Sequence, residues 1–346
     1  MAVREIRVGG VRIGGGAPIS VQSMTNTDTR DADATIAQIM RLEEAGCDIV
    51  RSSVYDADCV KALPKILASI HIPLVADIHF DYRLAIAATE AGVHKIRFNP
   101  GNIGSEARVR ELVACAKAHG TPIRIGVNAG SLEKEFQGLD TAEAMVQSAL
   151  RHIAILEKCG FYDTIVSLKA SGVRTTVEAY RKLSAIIDYP LHIGVTEAGT
   201  RELGEIKSAI GIGALLLDGI GDTLRVSLTG DPVLEVAAGR RILRALNLLL
   251  DDVEIISCPT CGRTGVDLER AVDYVSKRVL RNSGYLKIAV MGCAVNGPGE
   301  ARDADIGIAF GKDSGVLFER GEKIKSGKAD EMIEELIERA NSRLSD

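Results

Sequence analysis

Between residues 18 and 222 the chain repeats one unit: a short apolar run, a turn, then a stretch with helical spacing. The runs are PISVQSM (18–24), CDIVRSSV (47–54), PLVADIHF (73–80), HKIRFNP (94–100), PIRIGVNA (122–129), DTIVSLKAS (163–171), PLHIGVTEAG (190–199) and IGALLLDGIGD (212–222). Strands that alternate with helices are joined by crossovers and therefore run parallel. Eight such units, with no GxGxxG after the first run, favour a closed (β/α)8 barrel over an open doubly wound sheet. Residues 233–249 supply the eighth helix. Ahead of the barrel, residues 4–16 alternate around Gly9 and Gly10 and read as a small β-hairpin.

After residue 250 the rhythm changes. VEIIS (253–257) reads as a strand, 266–280 as an amphipathic helix and YLKIAVMG (285–292) as a second strand. DIGIAF (305–310) and GVLFERGEKI (315–324) suggest a hairpin, and 329–344 a closing charged helix. The reading is therefore an α/β TIM barrel over 1–250, binding the substrate, and a small α+β module over 251–346.

Buried parallel strands should be almost entirely apolar. Here the strand ends carry Gln22, Arg51, Asp77, His79, Arg97, Asn99, Arg124, Asn128, Lys169, His192 and Glu197. Any one of these is explained as well by a surface position or a structural ion pair. Together they are not, because the C-terminal ends of barrel strands meet at one mouth, where active sites are built. Arg51, Arg97, Arg124 and Lys169 at that mouth repel one another unless an anion joins them. The guanidinium fork fits phosphate oxygens, and DGIGDTLRVSLTGD (218–231) adds glycines and hydroxyls where barrels often bind phosphate. A small ligand with more than one phosphate is expected. A net charge of −5 and the absence of Trp argue against a polynucleotide. The first residues lack the apolar core of a signal peptide, and no apolar run approaches a membrane span. Seven loosely spaced Cys do not form a secreted disulfide framework, so a reducing cytoplasm is expected.

Cys47, Cys59, Cys115 and Cys159 sit beside Ala and Gly and read as small buried hydrophobes. The remaining three stand in CPTCGRTG (258–265) and GCAVNGPGE (292–300). A CxxC pair alone suits zinc, a redox disulfide or a cluster. Structural zinc wants a closed set of Cys or His ligands, yet no His and no fourth Cys follows Cys258, Cys261 and Cys293. That favours an iron–sulfur cluster with one iron on a harder oxygen ligand, for which Glu300 is placed. A zinc ribbon is the plainer alternative.

These segments together resemble a known family, the bacterial 4-hydroxy-3-methylbut-2-enyl diphosphate synthases (IspG/GcpE). The resemblance runs over essentially the whole chain and is carried by PISVQSM, DIVRSSV, ADIHFDYRLA, KIRFNPGNIG, IRIGVNAGSLE, SLKAS, HIGVTEAG, ISCPTCGRT and MGCAVNGPGE. It is the short form, with no domain inserted between barrel and module. The resemblance implies a [4Fe–4S] cluster on Cys258, Cys261, Cys293 and Glu300. It implies 2-C-methyl-D-erythritol 2,4-cyclodiphosphate as substrate, opened with loss of water by two electrons from reduced flavodoxin or ferredoxin. On this basis Arg51, Arg97, Arg124 and Lys169 would clamp the diphosphate, with Asn128 orienting it. Glu300 would yield its iron to a substrate oxygen, Glu197 would be the acid or base near the reacting carbons, and Asn296 would shape the loop around the cluster. The short linker after the eighth helix implies a head-to-tail homodimer in which each module caps the partner's barrel. Two rivals stand beside this reading. One is a barrel lyase or transferase for a phosphorylated or pterin-like substrate with a structural zinc module, in the general layout of dihydropteroate synthase. The other is a non-catalytic metal-binding module, which the polar barrel mouth disfavours.

Overall fold

The computed structural model describes residues 2–99, 101, 105–136, 138–196, 199–281, 283–293, 299 and 302–345. The chain divides into two compact units, Met1–Leu248 and Leu249–Asp346.

The first unit opens with a hairpin of β1 (Ile6–Val8) and β2 (Val11–Ile13), paired Ile6 to Ile13. The barrel strands follow: β3 (Ser20–Met24), β4 (Ile49–Ser53), β5 (Leu74–Asp77), β6 (Lys95–Arg97), β7 (Ile123–Asn128), β8 (Thr164–Lys169), β9 (His192–Ile193) and β10 (Thr223–Leu224). They pair in parallel in the order β8-β7-β6-β5-β4-β3-β10-β9. A bridge between Val166 and Leu191 joins the two ends, so the barrel closes. The helices are α1 (Ala32–Glu44), α2 (Ala57–Leu67), α3 (Tyr82–Glu90), α4 (Glu106–His119), α5 (Thr141–Lys158), α6 (Val173–Ser184), α7 (Arg201–Leu217) and α8 (Pro232–Ala245). Asp31, Asp56, Asp81, Asp140 and Asp231 cap α1, α2, α3, α5 and α8 by accepting hydrogen bonds from first-turn N–H groups. An aspartate at the N-cap satisfies orphan donors and fixes where the helix starts. Each of these helices thus begins at a set distance from its strand, at the barrel's C-terminal face.

The other face is shut. Ile6, Val8 and Ile13 of the hairpin pack on Ile49, Val75 and Ile165 from inside the barrel. A ligand can therefore enter the barrel only from the mouth.

The eighth strand lies elsewhere than the sequence suggests. Residues 212–217 belong to α7, and the strand is Thr223–Leu224. Ile212, Leu215 and Leu216 are buried at helical spacing, which a short apolar run does not distinguish from a strand. Asp218 caps the helix, and Gly219 and Gly221, at φ +71° and +121°, turn the chain into β10.

The second unit is a five-stranded sheet in the order β11 (Val253–Ser257), β12 (Leu286–Met291), β13 (Ile306–Phe310), β14 (Ser314–Glu319) and β15 (Glu322–Lys328). The first three run parallel and the last three antiparallel. GVLFERGEKI is thus two strands, not one. Arg320 and Gly321 take positive φ (48° and 82°) and form the tight turn between them. Helix α9 (Leu268–Arg278) and the final helix α10 (Ala329–Ser345) cover one face, where Val275, Ile288, Leu317 and Leu336 are fully buried. Among the described residues no helix is long and apolar enough to cross a membrane.

Candidate active site

Alternate residues of a strand share a face. The face that carries Ile49, Val75 and Ile165 onto the hairpin also carries, one or two steps on, Arg51, Asp77, Ser167 and Lys169. The same alternation points Gln22, Lys95, Arg97, Arg124, Asn128, His192 and Thr223 into the barrel. The interior is therefore apolar at the floor and polar above it. It opens into a cavity of about 220 Å³ lined by Arg51, Asp77, His79, Arg97, Arg124, Asn128, Ser167, Lys169, Thr196, Arg225 and Ser227.

Two carboxylates organise the cations. Asp77 lies 3.4 Å from Arg97 Nη1 and 3.7 Å from Arg51 Nε, with His79 Nε2 also at 3.7 Å. Buried Glu235 accepts from Arg225 Nη2 and Nε at 3.1 and 3.2 Å, from Ser23 Oγ at 3.1 Å and from Leu228 N at 3.0 Å. Among the described residues Arg51 otherwise donates only to the thioether of Met24, a weak acceptor. Lys169 makes no hydrogen bond or ion pair among the described residues. Arg124 is the extreme case: at 1% exposure, its Nε, Nη1 and Nη2 all lack an acceptor among the described residues. It occupies the second position of β7, a layer deeper than the strand's C-terminal end, and fully buried His192 opens β9.

The charges respond to this crowding. Burial pulls the Arg51 guanidinium down to about 10, with Arg225 and Arg97 adding to it against Asp77. Burial, reinforced by neighbouring cations, holds Arg124 and Lys169 well below their ordinary values. Burial alone would raise the Asp77 carboxyl, but Arg51, His79 and Arg97 outweigh it and hold the group far below the usual carboxylate range. An uncompensated buried charge is costly, and a bound anion removes the cost. The larger groove of about 770 Å³ on the barrel exterior, between α4 and α5, includes no buried polar side chain that lacks a partner.

Two glycines make room for the clamp. A Cβ at Gly126 would lie 2.5 Å from Arg97 Nε, and one at Gly194 would lie 2.4 Å from Arg225 O and 3.1 Å from Lys169 Nζ. At Gly126 the obstacle is the end of a flexible side chain. Gly126→Ala is therefore expected to leave thermal stability almost unchanged while displacing Arg97, weakening anion affinity by about tenfold or more. Paired melting and binding measurements check this, and an unchanged affinity would remove Arg97 from the clamp.

In the second unit, β11 and β12 pair Ser257 with Val290, so Cys258 and Cys293 follow neighbouring strand ends. Gly292 N donates to Cys258 Sγ at 3.3 Å. The CPTCGRTG loop folds back onto the same end through Gly265 N to Gly292 O at 3.0 Å and Thr264 N to Cys261 O at 2.9 Å. Hydrogen bonds from Arg263, the backbone one foremost, hold the exposed Cys261 thiol below its ordinary value. By contrast, burial pushes Cys47 up to about 12, which leaves it inert. Among the described residues no three His, Cys, Asp or Glu side chains are grouped closely enough to hold a metal ion. The thiols share one end of the sheet, and their donor set, with N–H groups aimed at sulfur, fits an iron–sulfur cluster.

The cavity thus gathers Arg51, Arg97, Arg124, Asn128 and Lys169, all foreseen from sequence. Glu197, Asn296 and Glu300 lie outside the described residues. Arg225 and its partner Glu235 were missed. Arg225 follows β10 much as Arg97 and Lys169 end β6 and β8, but placing the eighth strand at 212–222 hid that equivalence. Glu235 reads simply as an acidic residue in the first turn of α8. Lys95 was also missed, since a lysine that opens a strand normally faces solvent.

A barrel sealed at its floor and cationic at its mouth, joined in one chain to a sheet that presents thiols, defines an enzyme for a small anionic substrate that works with a thiolate-bound metal centre. Residues 3–240 match the family model described as the GcpE TIM-barrel domain, and residues 254–342 match the GcpE protein C-terminal domain. The chain belongs to the GcpE family. It is 58% identical over 337 residues to the 4-hydroxy-3-methylbut-2-en-1-yl diphosphate synthase (flavodoxin) of Caldanaerobacter subterraneus, covering 96% of this chain and 95% of that one. Relatives of the same name from Clostridium perfringens (55%; 96% and 97% covered) and Geobacter sulfurreducens (56%; 96% and 96%) are similarly close. Among solved structures, Yersinia pestis dihydropteroate synthase superposes with a TM-score of 0.51 at 14% identity, covering 71% of this chain and 99% of that one. That likeness concerns the barrel fold alone.

Proposed function

We propose that Arg51, Arg97, Arg124, Lys169 and Arg225 hold the diphosphate of 2-C-methyl-D-erythritol 2,4-cyclodiphosphate, and that Cys258, Cys261, Cys293 and Glu300 hold a [4Fe–4S] cluster. The reaction is that of 4-hydroxy-3-methylbut-2-en-1-yl diphosphate synthase, an oxidoreductase step of isoprenoid biosynthesis. With phosphates counted in their acid forms, two electrons and two protons enter, the ring opens, and one water leaves with the linear diphosphate. Reduced flavodoxin supplies the electrons, in keeping with the relatives' name; ferredoxin is an alternative donor. The lyase or transferase alternative is not favoured by that name.

The observation that carries the substrate reading is Arg124, whose buried guanidinium has no acceptor among the described residues and lies in the middle of a cation cluster. Ring opening transfers a bonding electron pair to a phosphate oxygen. The clamp is already arranged around that charge, so it stabilises the transition state without reorganising. Asn128 at the rim orients the ligand. Glu197, next to cavity-lining Thr196, is proposed to give the proton that lets the hydroxyl depart as water. The cluster, when bound, supplies electrons singly to the reacting carbon. Asn296 is proposed to shape the loop beside Cys293. We include a head-to-tail homodimer in the proposal, with active sites shared between two chains.

Anaerobically purified protein given the cyclodiphosphate and reduced flavodoxin should form the linear diphosphate, consuming two electrons per product. About four irons and matching sulfide per chain should accompany it, with an EPR signal that changes when substrate is added. One zinc, no sulfide and no turnover would overturn the reading.

A further inference from the structure

The floor of the cation cluster holds a group that the substrate reading leaves unused. Lys95, on β6 two residues before Arg97, is completely buried. Its ammonium makes a single hydrogen bond, to Gln22 Oε1 at 3.3 Å, and no ion pair among the described residues. Neither carboxylate of the site among the described residues is free to serve it. Asp77 is shared by Arg51, Arg97 and His79, and Glu235 is saturated by Arg225, Ser23 and the Leu228 amide. Among the described residues, six cations thus share two carboxylates. An arginine cannot shed its proton, so any relief in the empty barrel must come from a lysine.

We infer that Lys95 is a positioning residue beneath the clamp that gains a proton as the diphosphate arrives, so that substrate binding and protonation are coupled. This inference rests on the substrate reading given above. Among the described residues, the titratable groups that act on Lys95 or feel its charge are Arg51, Arg124 and His192. Arg51 and Arg124 are cations, and among the described residues His192 has no partner for either ring nitrogen. Burial first, then Arg124 and Arg51, hold Lys95 well below its ordinary value. These surroundings favour the neutral amine more than water does. A diphosphate above Arg124 reverses the sign of the local field and favours the ammonium. The bound group's affinity for protons then exceeds the free group's, so binding must strengthen as pH falls through the interval between the two states. A cyclic diphosphate has no secondary phosphate ionisation and adds no titration of its own near neutrality.

The test is calorimetric titration of the unreduced holoenzyme with the cyclodiphosphate, at one pH in buffers of different ionisation enthalpy. The wild type should take up protons on the mildly alkaline side, and its Kd should tighten by up to about tenfold per pH unit for one coupled proton. Lys95→Met, and Lys95→Gln as a second variant, should retain cluster and binding but lose the uptake and flatten the pH dependence. His192→Gln should keep both. Binding without uptake in the wild type, or full uptake in both Lys95 variants, would overturn this inference while leaving the substrate reading intact. No binding heat at all would overturn the substrate reading, and this inference with it.

Discussion

Arg124→Met is expected to weaken binding of the cyclodiphosphate severely while leaving the substrate-free protein as stable as before, or more so. The two effects have one cause. In the substrate-free protein the guanidinium is desolvated, lacks an acceptor among the described residues and stands among cations. Replacing buried charge by an apolar side chain of similar volume is often neutral or stabilising by about 1–4 kcal/mol. With the ligand present the balance reverses, because the diphosphate loses its most deeply buried donor. Truncating one partner of a buried charged pair typically costs about 2–5 kcal/mol, or roughly 30- to 4,000-fold in Kd. Turnover at saturating substrate should also fall, since the charge that develops on ring opening is left less well stabilised. Thermal melts and calorimetric binding on the same preparation decide the matter. A destabilised variant with wild-type affinity would make Arg124 a structural residue and withdraw the clamp.

Cys293→Ser is expected to abolish turnover and cluster content together. Cys258 and Cys293 follow adjacent parallel strands, and the loop carrying Cys261 is tied to the same end through Gly265 and Gly292. A serine at that position substitutes a hard, hardly acidic oxygen for a thiolate. Iron and sulfide analysis should show the loss, and the barrel, whose cations are untouched, should still bind the cyclodiphosphate. A variant retaining both its cluster and its turnover would remove Cys293 from the ligand set. The same variant probes the proposed sharing between chains. Mixed with a Glu197→Gln chain, itself expected to keep its cluster and its substrate binding but not its turnover, it should recover part of the activity. Verified heterodimers without recovery would rule out active sites built from two chains.

Much of this architecture is readable along the chain. Seven of the eight barrel strands announce themselves as apolar runs, and the N-terminal hairpin does so through its alternation about Gly9 and Gly10. Arg51, Arg97 and Lys169 betray the mouth because a charge at the end of a buried strand has few other places to be. The thiols are marked by spacing alone. The eighth strand escaped because α7 ends in Ile212–Leu217, apolar enough to pass for a strand, while the true strand is only Thr223–Leu224. With it went Arg225, whose partner Glu235 is ten residues on and turned inward by α8.

What the sequence determines by itself is therefore local: the period of each segment, the aspartates that start the helices, the residue types at strand ends and the spacing of the thiols. These depend on neighbours a few positions apart, where covalent geometry and burial leave one workable pattern. What the tertiary structure decides is which charges meet. Asp77 serves Arg51 and Arg97, Glu235 serves Arg225, and among the described residues Arg124 and Lys95 are left with no carboxylate. Those assignments depend on how the barrel closes, on strand register and on a hairpin that seals its floor. Electrostatic energy in a desolvated interior depends on distances across the barrel, and separation along the chain carries little information about them.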